Sequence, residues 1–169
     1  TATIIGTIQS TLTNFRYLNR KWQENCEEER LLGVSLTGIM DNTLTNGKTK
    51  GLEELLRKLR QVAVDTNLQW SKKLGIPQSV AITCVKPSGT VSQLVDSASG
   101  IHARHNPYYI RTVRADKKDP LAKMMYEAGF PVEDDVTKPD HTWVFSFPVK
   151  GPKNGIYRKD MTAVEQLEL

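Results

Sequence analysis

The run from Ser79 to Leu94 constrains this chain more than any other stretch. An apolar, β-branched segment, Val80-Ala81-Ile82-Thr83-Cys84-Val85, ends in Lys86-Pro87-Ser88-Gly89-Thr90, and a short helical pattern follows. A strand passing through a small-residue turn into a helix start is the outline of a phosphate-binding site. Gly89 has no Cβ, so the backbone there can approach an anion closely. Ser88 and Thr90 can cap the helix or donate their hydroxyls. Unpaired amides at a helix start, together with the positive end of the helix dipole, favour a bound phosphate. The same Pro, Ser, Gly and Thr also suit a plain structural turn, and these residues alone leave both readings open.

The surrounding segments alternate in period. Ile8, Leu12, Phe15, Leu18 and Trp22 share one face of a helix expected over Gly6 to Glu29. Arg30 to Met40 reads as a buried strand with its exit turn. Asp41 to Gly51 is polar, with Asn46-Gly47 as a turn signal. Leu52, Leu55, Leu56, Leu59, Val62, Ala63 and Trp70 predict a helix over Leu52 to Leu74, closed by Gly75 and Pro77. Val80 to Val85, Tyr108 to Arg114 and His141 to Val149 are strand candidates. Asp119-Pro120 opens a helix with Leu121, Met124, Met125 and Ala128 as its expected buried face. A last helix begins near Thr162. Helices alternating with strands predict an α/β fold with a largely parallel sheet.

Composition narrows the partners. The 169 residues suit one ordinary domain, and 38% hydrophobic with 25% charged residues is a globular balance. No apolar stretch approaches the roughly 20 residues of a membrane span, so no membrane association is expected. The net charge of +4 suits anionic substrates. Its basic residues are spread out, without the aromatic-interleaved stripe of a nucleic-acid binder. The only cysteines, Cys26 and Cys84, are too few for a disulfide scaffold, and a reducing, cytoplasmic setting is expected. Neither they nor His102, His105 and His141 have metal-ligand spacing.

Further segments carry a resemblance. They are Val95-Asp96-Ser97-Ala98-Ser99-Gly100-Ile101-His102-Ala103-Arg104-His105-Asn106-Pro107-Tyr108-Tyr109-Ile110-Arg111-Thr112-Val113-Arg114, Arg30-Leu31-Leu32-Gly33-Val34-Ser35-Leu36-Thr37-Gly38-Ile39-Met40-Asp41, Thr1 to Thr7, Trp143 to Lys150 and Ala163 to Leu169. In this order, with the 87–91 turn, the chain resembles the catalytic barrel of ribonucleotide reductases. Within these it is most similar to the adenosylcobalamin-dependent (class II) type, in its monomeric ribonucleoside-triphosphate form. The resemblance implies that residues 1–169 are the later portion of a ten-stranded α/β barrel, incomplete in this chain. The opening Thr1-Ala2-Thr3 and the closing Glu165 to Leu169 likewise read as part of something longer.

Reductases of this type replace the ribose 2′-hydroxyl with hydrogen through a cysteine thiyl radical generated with adenosylcobalamin; a thioredoxin-type reductant resets their cysteines. The resemblance implies that Pro87, Ser88, Gly89, Thr90 and Val91 bind the phosphate of a ribonucleoside triphosphate. Ser88 and Thr90 would offer hydroxyls, and Gly89 and Val91 amides. His102, Arg104 and His105 are candidates to face cobalamin or substrate, or else form a surface loop. The family's Asn-x-Cys-x-Glu finger loop has no counterpart here. The radical cysteine is therefore expected before Thr1, the reducible terminal pair after Leu169, and the dNTP effector site elsewhere, so that this chain alone would be inactive. Cys26, among carboxylates, reads as an unreactive thiol, and Cys84 as a small buried hydrophobe. Asp41, Asp65 and Asp96 read as cap or surface residues, and Trp22, Trp70 and Trp143 as packing residues. Two other readings stay open: a diphosphate-reducing dimeric class II or class I fragment, and a non-catalytic nucleotide-binding module.

Overall fold

The computed structural model describes residues 1–169. Helix α1 (Ala2–Gln9) and helix α2 (Arg20–Glu29) occupy the span expected to be one helix. The break has a local cause. Ser10 and Thr11 turn their hydroxyls back onto the Thr7 and Ile8 carbonyls, both at 2.7 Å. The amides of Thr11 and Leu12 tighten into bonds with Ile8 and Gln9 three residues back. Such side-chain bonds compete with helix continuation. Asn19 then restarts the helix by accepting the Lys21 amide at 2.9 Å. Leu12, Leu18 and Trp22, expected on one buried face, are exposed.

Helix α3 (Leu52–Leu74) forms as predicted, and Gly75 ends it in the left-handed conformation at φ 67°. Its most buried residues are not the leucines but Ala63, Asn67 and Ser71, one turn apart. They meet Thr3 and Thr7, the buried residues of α1. Small side chains on both helices permit close approach. Asn67, fully buried, donates to Thr7 Oγ1 and Ser79 Oγ and accepts the Ser79 amide, each at 3.0 Å. That satisfies a polar group whose burial would otherwise be costly. The leucine stripe of α3 instead borders an apolar cavity of about 400 Å³ with Leu36, Val85 and Leu169.

The two segments expected as buried strands, around Val34 and Val80–Val85, run parallel about a bridge from Val34 to Thr83, the Leu32, Val34 and Cys84 amides donating to the Ala81, Ile82 and Val34 carbonyls, but they extend into no sheet. Here the expected parallel sheet is corrected. The only sheet is three-stranded and antiparallel, in the order β1 (Tyr108–Asp116), β3 (Thr142–Lys150), β2 (Val132–Asp134). Short connections explain it: β2 and β3 are joined by a seven-residue link (135–141) that fits an antiparallel return and not a crossover. Helix α5 (Pro120–Glu127) lies between β1 and β2 in the chain, and its Asp119 cap accepts the Leu121 and Ala122 amides. Its buried residue is Ala122, with Met125 partly covered; Leu121, Met124 and Ala128, expected inside, are exposed. Tyr126 of α5 stacks on Trp143 at 4.5 Å, and Trp143 meets Phe145 edge-on. Of these rings only Phe145 is buried; Trp143 is half-buried, and Tyr126 covers it from the exposed side.

Two short helices complete the chain. Helix α4 (Val91–Leu94) has four residues, and helix α6 (Ala163–Glu168) starts from a reciprocal Thr162–Glu165 capping box. No helix is long and apolar enough to cross a membrane.

Candidate functional site

Gly89 adopts φ 59°, a left-handed turn with open space where a Cβ would point. The turn reverses the chain after Lys86, and the carbonyl of Ser88 takes the Val91 amide at 3.2 Å. Val91 therefore does not present its N–H outward as expected. The amides of Gly89 and Thr90 are the ones without an intrachain partner. Thr90 is the N-cap of α4 yet makes no capping bond, so its hydroxyl is also free. A four-residue helix sums few peptide dipoles, and the dipole contribution expected here is correspondingly small. The donors, not the helix, make the site.

The start of the turn is fixed by contacts from far along the sequence. The Ser88 amide donates to Ser99 Oγ at 3.1 Å, and the Ser88 and Ser99 hydroxyls are also 3.1 Å apart. Thr37 Oγ1 stands 3.2 Å from Ser88 Oγ, donates toward the Ala98 carbonyl at 3.0 Å and accepts the Gly100 amide at 3.1 Å. Gly100, at φ 54°, lies so close that a Cβ would sit 2.5 Å from the Lys86 carbonyl oxygen. Glycine is required there for the two backbones to meet. Three hydroxyls, of Thr37, Ser88 and Ser99, thus cluster at the start of the turn that carries the two free amides. Ser88 was legible in the sequence; Thr37 and Ser99 were not, and the only signal for them is the glycine beside each.

Arg104 lies behind this cluster. Its side chain is 4% exposed and bonds Asp41, itself 14% exposed, and Asp96, which is 81% exposed. Nε reaches both Asp41 oxygens at 3.1 Å, Nη2 reaches Asp41 Oδ2 at 3.0 Å, and Nη1 reaches Asp96 Oδ1 at 3.2 Å. Nη2 also bonds the Asp96 carbonyl. Burial opposes the guanidinium charge, but the hydrogen bonds and charge of Asp41, with Asp96, more than offset it and hold the pKa above its ordinary value. Tyr157 packs alongside, its backbone bridged to Arg104, and burial followed by the Asp41 charge raises its phenol pKa. Asp41 and Asp96 are thus partners of a buried cation, where the sequence suggested caps or surface.

His102 and His105 are exposed on the same turn, His102 Nδ1 lying 3.2 Å from the Ser99 carbonyl. The structure brings neither of them to the hydroxyl cluster through a bond. Cys84 is exposed, against the expectation of burial, and Cys26 is half-buried; both are free thiols. Lys86 turns toward Gly33 and lines a separate, larger concavity of about 820 Å³ with Phe15, Trp22 and Arg30, to which none of residues 87–91 contributes. No group of three or more His, Cys, Asp or Glu is placed to hold a metal ion. Arg104 is directed inward onto Asp41 and Asp96, so of the three residues expected to face cobalamin or substrate only His102 and His105 are exposed.

No family profile matches the chain. In fold, the chain is similar to a crystal structure of a B12-dependent (class II) ribonucleotide reductase, with TM-score 0.72, covering 93% of this chain and 26% of that one at 24% identity. In sequence, it is 34% identical over 154 residues to the adenosylcobalamin-dependent ribonucleoside-triphosphate reductase of Euglena gracilis, across 88% of this chain and 21% of the relative. It is 30% identical over 148 residues to the enzyme of the same name from Levilactobacillus brevis, across 73% of this chain and 20% of the relative. The chain is a homologue of one segment of the adenosylcobalamin-dependent ribonucleotide reductases. Its curated relatives are adenosylcobalamin-dependent ribonucleoside-triphosphate reductases, and it spans about a fifth of their length.

Proposed function

We propose that residues 1–169 form part of the catalytic barrel of an adenosylcobalamin-dependent ribonucleoside-triphosphate reductase, and that the 87–91 turn anchors the substrate phosphate. The carrying observation is the pair of free amides, Gly89 and Thr90, together with the hydroxyls of Thr37, Ser88 and Ser99. Such a site takes phosphate oxygens through neutral donors. The Ser88 hydroxyl can turn its hydrogen from Ser99 to an anion, while the Thr37 hydrogen stays on the Ala98 carbonyl, and the open space at Gly89 lets the anion reach the backbone.

The role is orientation. A phosphate held at a fixed turn fixes the ribose attached to it, and a radical step on a ribose carbon gains from that placement. Adenosylcobalamin would supply the radical in the whole protein; residues of this chain would bind and position. A thioredoxin-type reductant and a dNTP effector belong to the same proposal for the whole protein.

Gly89→Val tests the turn. A β-branched side chain is strained at φ 59° and its Cβ would cover the amides. In the full-length protein the expected result is loss of nucleotide binding, measured by equilibrium dialysis, with cobalt–carbon homolysis partly retained. Unchanged nucleotide affinity would overturn the phosphate assignment.

A further inference from the structure

We infer that Arg104 is a positioning residue for the phosphate turn, acting through Asp41 and Asp96 on the segment that carries Ser99. The inference rests on the phosphate reading above and extends it to residues that touch no ligand.

Two stretches converge at Arg104. Residues 37–41 supply Thr37 and Asp41, and residues 96–100 supply Asp96 and Ser99. The second stretch is sewn to the first. Asp41 Oδ2 accepts the Ala98 amide at 2.7 Å, the Gly38 amide donates to the Ala98 carbonyl at 2.8 Å, and the Ile39 amide to the Gly100 carbonyl at 3.3 Å. On its other side the same stretch holds the turn, through Ser99 to Ser88 and through Gly100 against Lys86. Where Ser99 stands therefore decides where the Ser88 amide and hydroxyl point.

Arg104 is what keeps that stretch in place. Asp96 has φ 46°, a left-handed conformation uncommon in residues with a side chain. The guanidinium grips both its carboxylate and its carbonyl. It also neutralises Asp41, whose charge would otherwise be mostly buried and unpaired beside the Ala98 amide. The two nitrogens it places on Asp41, Nε and Nη2, form a planar fork that lysine cannot reproduce.

The test compares a phosphorylated ligand with the same ligand lacking phosphate, in the full-length protein. Affinities for CTP and for cytidine are measured by equilibrium dialysis in wild type, Arg104→Lys, the charge-free pair Asp41→Asn with Arg104→Gln, and Asp96→Asn. Arg104→Lys is expected to weaken CTP by about tenfold or more and cytidine by less than about twofold, because phosphate contacts depend on preorganised donors. Asp96→Asn, altering an exposed side chain that tolerates the left-handed turn, should move CTP in the same direction by about threefold. The double variant keeps the protein testable if the single Arg104 change prevents folding. Equal weakening of CTP and cytidine in the folded variants would mean a merely structural role and overturn the inference. If Ser88→Ala and Gly89→Val lower the CTP preference while the Arg104, Asp41 and Asp96 variants do not, only this inference fails. If none of them lowers it, the phosphate reading fails as well.

Discussion

Asp135 carries the most concentrated set of donors on any carboxylate in the chain. Thr137 gives it a hydroxyl at 2.6 Å and an amide at 2.9 Å, Lys138 an amide at 3.1 Å, and Arg114 Nε a charged bond at 2.6 Å. The Thr137 hydroxyl first, then Arg114 and the two amides, hold its pKa well below the usual carboxylate range. The sign follows from linkage. A carboxyl whose folded pKa is depressed stabilises the fold above its unfolded pKa of about 4, and that contribution is lost as pH falls further. Asp135→Asn should therefore lower the urea midpoint at pH 7, and the gap from wild type should narrow as pH drops below about 4. A gap that stays constant down to pH 2 would mean that the ionised form of Asp135 contributes nothing to stability. Arg104 shows the limit of reading single residues. Its sequence context, His102 to His105, suggested a basic loop facing a ligand, yet its partners Asp41 and Asp96 lie 63 and eight residues away and turn it inward.

At the scale of elements, the legible parts are those whose causes are local. The α3 stripe, the Gly75 stop, the Asp119-Pro120 start and the Thr162 cap each form where the neighbouring residues dictate. These signals carry energy that can be measured. Asp119→Ala removes bonds to two amides and should cost about 1 kcal/mol. Gly75→Ala, forced to keep φ 67°, should cost a similar amount, about 1 kcal/mol. Urea unfolding checks both, and a neutral Gly75→Ala would show that the α3 end relaxes freely. The strand assignments at Arg30–Met40 and Val80–Val85 were met only in part, for the opposite reason. Strand pairing depends on a partner elsewhere in the chain, and these runs lie parallel through a few backbone bonds around Val34 and Thr83 without extending into a sheet. In the candidate site, likewise, the 87–91 turn was legible because proline, glycine and hydroxyl residues adjoin one another. Thr37 and Ser99 were not, because no local pattern marks a contact 51 residues from Ser88 or a hydroxyl that bonds the Ser88 amide.

At the scale of the whole molecule, the distribution of apolar surface governs behaviour. Leu12, Leu18 and Trp22 between and on α1 and α2, Leu59 and Val62 on α3, Leu94 and Val95 after the 87–91 turn, and Val164 and Leu167 on α6 all stand exposed. Scattered exposed leucines are ordinary, but several here adjoin the two apolar-lined concavities and extend them. Burying one such side chain yields about 1.5–3 kcal/mol, so it takes several of them together to offset the roughly 4–15 kcal/mol cost of association. The 169-residue chain expressed by itself should therefore associate. Multi-angle light scattering at micromolar concentration should give a mass above 19.0 kDa, and the chain should bind the dye ANS. Replacing Leu12, Trp22 and Leu167 with Ser should reduce both signals without lowering the urea midpoint, because exposed side chains contribute little to the fold. A monodisperse 19.0 kDa species that ignores the dye would show that these faces are tolerated in water and need no covering. Association that persists unchanged in the triple variant would locate the contact elsewhere, with the nine-residue edge strand β1 and its open row of backbone donors as the next surface to block.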